Sequence, residues 1–173
     1  FKNNKLNNDF KISYGKTIKI KGLSYDATNL TKLFDKSASS NFLKNINKEI
    51  LINIKEITNN VSETLFSFNL IGYLEKGKFN KIVSKGEFED GKYLDISLRV
   101  DKVSKNKKLE IYSDLPKALL SNYKFFDGLT GGQLLILSSY DENNSNISLS
   151  IENFKVINAP GLVKLLSLAD FGG

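Results

Sequence analysis

Residues 93–103 read YLDISLRVDKV. Leu94, Ile96, Leu98 and Val100 alternate strictly with Asp95, Ser97, Arg99 and Asp101. Period two sends successive side chains to opposite faces, so this stretch is a strand with one apolar and one wet face. Asp90-Gly91 just before it is a strong hairpin signal. The same pattern recurs in both directions. Upstream, Phe79 to Phe88 is a less apolar strand after the Lys76-Gly77 turn. Thr64 to Tyr73 sets Phe66, Phe68 and Leu70 against Leu65, Ser67 and Asn69. Lys48 to Ile57 sets Ile50, Ile52 and Ile54 against Leu51, Asn53 and Lys55. Phe10, Ile12 and Tyr14 pair across the Gly15 turn with Ile18 and Ile20 as a hairpin. Downstream, Leu109 and Ile111 follow the polar turn Ser104 to Lys107. Gly131-Gly132 opens a strand through Leu134 and Ile136. Ile147, Leu149 and Ile151 follow the polar turn Asp141 to Ser145.

Three short helices interrupt the strands. Asp26 caps the first, with Leu30, Leu33 and Phe34 at helical spacing. Asp114 caps the second, with Pro116 in its first turn and Leu115, Leu119 and Tyr123 on one face, ending at Asp127-Gly128. Asn158 or Ala159 caps the third, where Leu162, Leu165, Leu166 and Ala169 form one stripe. The expected fold is mainly β (α+β): about nine strands, antiparallel because short turns join them, with three short helices. The caps Asp26, Asp114 and Asn158 stand 88 and 44 residues apart, which hints at a repeat with sub-units 1–112 and 113–173 inside one 173-residue segment. The start at Phe1 and the end at Gly172-Gly173 read as a piece of a longer protein.

The chain has no cysteine, histidine, methionine or tryptophan. That excludes a disulfide framework and a thiolate metal site. It also removes the commonest general base and transition-metal ligand. No nucleophile elbow, P-loop or dinucleotide fingerprint is present. Glu87 and Glu89 lie two apart among lysines at a turn and read as a solvated edge. Asp141-Glu142-Asn143-Asn144 lacks the spaced ligands and closing glutamate of a calcium loop. The expectation is a non-enzyme without cofactor or metal. Every basic residue except Arg99 is lysine, and the net charge is +6. The lysines are scattered, the densest run (Lys105, Asn106, Lys107, Lys108) sits at a turn, and no RNP-type motif occurs, so nucleic acid is not the expected partner. No run of about 18 apolar residues exists to span a membrane as a helix.

What remains is a broad apolar face: Ile50, Ile52, Ile54, Phe66, Phe68, Leu70, Leu94, Ile96, Leu98, Leu109, Ile111, Leu134, Ile136, Ile147, Leu149 and Ile151. Three short helices offer too few side chains to cover it. Either the sheet closes on itself as a sandwich or barrel, or part of its inner face is a groove suited to acyl chains. Read from these residues alone, closure is favoured, because large uncovered apolar patches are uncommon.

Two stretches carry a family resemblance. Lys108 to Leu135 (KLEIYSDLPKALLSNYKFFDGLTGGQLL) has a strand ending in Ser-Asp, a helix with a double leucine, then a Gly-Gly-x-Leu strand. Asn153 to Ala169 reads N-F-x-V-x-x-A-P-x-L-x-x-L-L-S-L-A. Both resemble the AsmA-like C-terminal domain of the YhdP, TamB and AsmA group of large bacterial envelope proteins. The strand at Gly22 with Asp26 and its helix is similar to a weaker upstream repeat. The sequence departs from that pattern at Asp170-Phe171-Gly172-Gly173, where such domains continue with a small residue, a glycine and more helix.

The resemblance implies an elongated, curved, taco-like sheet in the periplasm of a Gram-negative envelope, in a parent protein anchored in the inner membrane. It implies phospholipid transport to the outer membrane, in outer-membrane biogenesis. Phospholipid acyl chains would then lie on Ile50, Ile52, Ile54, Phe66, Phe68, Leu70, Leu94, Ile96, Leu98, Ile111, Leu134 and Ile136. Envelope proteins would meet the ends of the groove. The alternative is a non-conducting structural or interaction module of the envelope, with the stripe Leu162, Leu165 and Leu166 buried inside the sheet. The conducting reading expects an inner face with no helix over it.

Overall fold

The alternation in sequence becomes one sheet. A computed structural model of the chain describes residues 7–28, 45–59, 63–121, 123, 126, 128–141 and 144–157. The strands are β1 (Asp9–Tyr14), β2 (Thr17–Asp26), β3 (Lys48–Thr58), β4 (Thr64–Glu75), β5 (Lys78–Glu87), β6 (Tyr93–Val100), β7 (Lys107–Ser113), β8 (Leu129–Tyr140) and β9 (Ser145–Val156). They lie side by side in chain order, and β1 and β9 are the two edges. The sheet is therefore open rather than closed into a barrel. The fold is mainly β, with the expected nine strands among the described residues.

Local chemistry sets the turns. Lys76 and Gly77 both take positive φ (49° and 73°), the geometry a tight hairpin needs between twisted strands. Asp90 and Gly91 do the same (60° and 71°) within the 3-10 turn Glu89–Gly91. Between β6 and β7, Asp101 organises the loop. Its Oδ1 accepts from the amides of Val103 and Ser104 and from the Ser104 hydroxyl, and its Oδ2 pairs with Lys108 Nζ at 2.8 Å. The Lys108 ammonium and these donors hold the Asp101 carboxyl well below the usual carboxylate range.

Two expectations need correction here. The sheet is mixed, not wholly antiparallel: β2 and β3 run parallel, with Ile18 beside Ile50 and Ile20 beside Ile52. A parallel pair needs a crossover of a dozen or more residues, and the chain between Asp26 and Lys48 supplies that length. Every other neighbouring pair is antiparallel.

The three helices are the second. Among the described residues there is one α-helix, α1 (Pro116–Leu120), five residues long. The helices expected from Leu30 and from Pro160, with the stripe Leu162, Leu165 and Leu166, lie outside the described residues. Asp114 does not cap α1. Leu115 holds the N-cap position without a side-chain bond, and Asp114 is engaged by Tyr93, Tyr112 and Gln133 instead. Tyr123 lies past the end of α1 and is exposed, so it does not share the helix face of Leu115 and Leu119. Asp26 ends β2, and its Oδ1 accepts the Thr28 amide at 3.0 Å.

Candidate functional site

Antiparallel strands joined by short turns keep residues of one face in register. Cross-strand partners point to the same side, so a face can be followed from strand to strand. One line runs through Ile12, Ile20, Ile52, Leu70, Ser84, Ile96, Ile111, Ile136 and Leu149, one residue from each strand. A second runs through Tyr14, Ile18, Ile50, Gly72, Ile82, Leu98, Leu109, Ser138 and Ile147. At a strand spacing of about 4.8 Å, each line crosses about 38 Å of sheet. Neither carries a charged residue. The two serines on them are Ser84, whose hydroxyl donates to the Ile96 carbonyl at 3.3 Å, and Ser138.

A third line is Phe10, Gly22, Ile54 and Phe68 on β1 to β4, then Gly86, Leu94, Ser113, Leu134 and Ile151 on β5 to β9. A bulge separates its halves. The β4–β5 register slips between Phe66 and Asn69, where Ser67 adopts φ 51°. Beyond the slip the faces exchange. Leu65 is buried against Phe88 and Leu94, while Phe66 stands opposite the exposed Glu56 and Glu87. Phe66 is therefore corrected: it belongs to the outer face.

The other eleven expected residues share the inner face. Ile52, Leu70, Ile96, Ile111 and Ile136 are on the first line, Ile50 and Leu98 on the second, and Ile54, Phe68, Leu94 and Leu134 on the third. Leu109, Ile147, Leu149 and Ile151 join them. Burial is uneven along the lines. Ile54 and Leu98 are 3% exposed and Leu134 is fully buried, whereas Ile12, Tyr14, Ile147 and Leu149 at the edges are 44–71% exposed. The lines thus emerge into solvent at both ends of the sheet.

The margins of the face are closed by neighbouring structure. At one, Leu115, Ala118 and Leu119 of the α1 region pack over Leu65, Phe88 and Leu94. Leu119 and Leu120 pack with Leu129 and Leu134. Ser113 steers the chain into this helix, its buried hydroxyl accepting the Leu115 amide at 3.1 Å. At the opposite margin Ile46 and Phe79 pack with Ile18, Ile50 and Leu74. Ile46 is fixed there because its carbonyl accepts the Gly77 amide at 3.0 Å.

The strip that sequence reasoning missed is the β1–β2 end: Phe10, Ile12, Tyr14, Ile18 and Ile20. Their alternation was visible, but their place beside Ile50 and Ile52 depends on the parallel crossover. On the outer face, Tyr112 donates to Asp114 Oδ1 at 2.6 Å. That bond is the main reason its phenol is pushed up to about 12. Among the described residues, no group of three or more acidic side chains is placed to hold a metal ion. Comparison with family models, curated proteins and solved structures returned no match.

Proposed function

We propose that this chain is one stretch of a periplasmic AsmA-like envelope protein, held to the inner membrane by parts of its parent outside this segment. Its inner face guides phospholipid acyl chains between the inner and outer membranes without chemistry. The observation that carries this reading is the pair of uncharged lines crossing all nine strands and emerging at both edges. A lipid tail moving along them exchanges one apolar contact for the next. Each methylene kept out of water is worth about 0.8 kcal/mol, so a shielded path favours transfer by itself. The resemblance of Lys108–Leu135 and Asn153–Ala169 to AsmA-like domains points the same way. In this reading the inner face curves along its length into a groove, and head groups remain in water.

A second reading has its own support. The α1 region packs directly on Leu94, and Leu98 and Leu134 have almost no exposure. A face filled in this way serves a structural or interaction module of the envelope.

Photocrosslinking in cells separates the two. A crosslinker is placed at Ile52, Phe68 or Ile96 of the full-length parent, with exposed Ser67 as control. Phospholipid adducts at the inner positions and none at Ser67 are the expected result. Adducts confined to protein would transfer the conclusion to the second reading.

A further inference from the structure

The outer face is polar over most of its area but not throughout: Phe66, Leu135 and the exposed Leu137 also lie on it. Most of it presents lysine, asparagine, serine and glutamate, but Leu51, Ile71 and Val83 occupy consecutive register positions on β3, β4 and β5. Ile71 is 51% exposed and Val83 54% exposed. Alternation predicts polar residues at such solvent-side positions, and three adjacent apolar ones form a patch that needs a partner.

Cations surround the patch. Lys19 is the β2 neighbour of Leu51, Lys81 of β5 is the neighbour of Tyr73, and Lys85 is that of Asn69. Lys21 lies beside Asn53, and Arg99 follows Ser97, the β6 neighbour of Val83. Glu49, Asp95 and Glu110, the β7 neighbour of Ser97, are the carboxylates at the margins, so positive charge is in excess. Among the described residues none of these five cations is in a salt bridge, whereas Lys108, beside Arg99, is already matched by Asp101. Arg99 is the chain's single arginine. It lies one position beyond Leu98, whose pairing with Ile82 ends the β5–β6 ladder, and lines with Lys81, Val83 and Ser97 a depression of about 440 Å³.

We propose that this outer face docks on an anionic bilayer surface, with Ile71 and Val83 entering the interface and Lys19, Lys81, Lys85 and Arg99 over lipid phosphates. The arrangement favours a membrane over an acidic protein because the cations, carried by β2, β5 and β6, span about 19 Å of sheet rather than converging on a single point. A bilayer is the partner whose negative charge is equally extended. The inference is independent of lipid transfer on the opposite face.

Flotation of the purified 173-residue chain with vesicles tests it. Vesicles of phosphatidylcholine mixed with phosphatidylglycerol should carry the chain upward, and phosphatidylcholine alone should not. Binding should weaken at high salt and fall about five-fold for each cation removed, as in Lys81→Gln and Arg99→Gln. Ile71→Ser with Val83→Ser should also lose binding while the circular dichroism spectrum is kept. Equal flotation with both vesicle types would indicate acyl-chain capture by the inner face and overturn the proposal. So would absence of flotation, or binding that survives all four substitutions.

Discussion

Leu134 on β8 and Ser113 on β7 stand directly opposite each other, and both are completely buried. The pair joins the apolar face to the turn that places α1, because the Ser113 hydroxyl holds the Leu115 amide. Leu134 itself packs with Leu120 and Leu129. Leu134→Ala should therefore destabilise the chain by about 3 kcal/mol in urea unfolding, from lost burial plus a cavity. Ile147→Ala, on the same face but 71% exposed, should cost under about 0.5 kcal/mol. Equal costs would contradict the burial gradient along the face.

Phe66 and Phe68 offer a sharper contrast. They are two residues apart on β4, yet the bulge at Ser67 sends them to opposite faces. Phe68→Asp places a carboxylate among Leu65, Phe88 and Leu94 and should cost at least about 2 kcal/mol. Phe66→Asp puts it beside Glu56 and Glu87 in water and should cost under about 1 kcal/mol. Denaturant midpoints of the two variants decide the point, and a reversed order would place the bulge wrongly.

Tyr112 gives a pH signature. Its phenol is held by the Asp114 carboxylate, and its pKa is pushed up from 10.0 to about 12. A raised folded-state value means the proton is held more tightly in the folded chain. The resulting stability is complete below pH 10 and is lost as pH rises through about 12. In an ultraviolet phenolate titration, one of the seven tyrosines should ionise late. Asp114→Asn should return it toward the ordinary range, and Tyr112→Phe should delete that step. A late step unchanged in Asp114→Asn would show that another cause raises it.

Strand positions were legible in the sequence because they depend on local signals. Leu94 to Val100 alternate, Lys76-Gly77 and Asp90-Gly91 turn, and the structure follows both. Three things escaped. The parallel pairing of Ile18 with Ile50 is decided by where a long connection returns the chain, which no periodicity records. The face of Phe66 is decided by one residue, Ser67, taking a conformation that serine does not advertise. The role of Asp114 was read from its place before Pro116. In the fold, however, the Tyr93 amide and the Tyr112 hydroxyl claim the carboxylate first. The apolar residues of the candidate site were likewise visible one by one. Their alignment into lines across nine strands needed the register.

The parallel β2–β3 pair also divides the folding of the chain. From β3 to β9 every strand pairs with the one just made, so contact order is low and the sheet can grow as a meander, one hairpin after another. Joining β2 to β3 instead closes the long connection from Asp26 to Lys48, a larger loop-closure cost than a tight hairpin turn. The β1–β2 hairpin should accordingly dock last, onto a template already built, and be the first unit to detach when the protein opens.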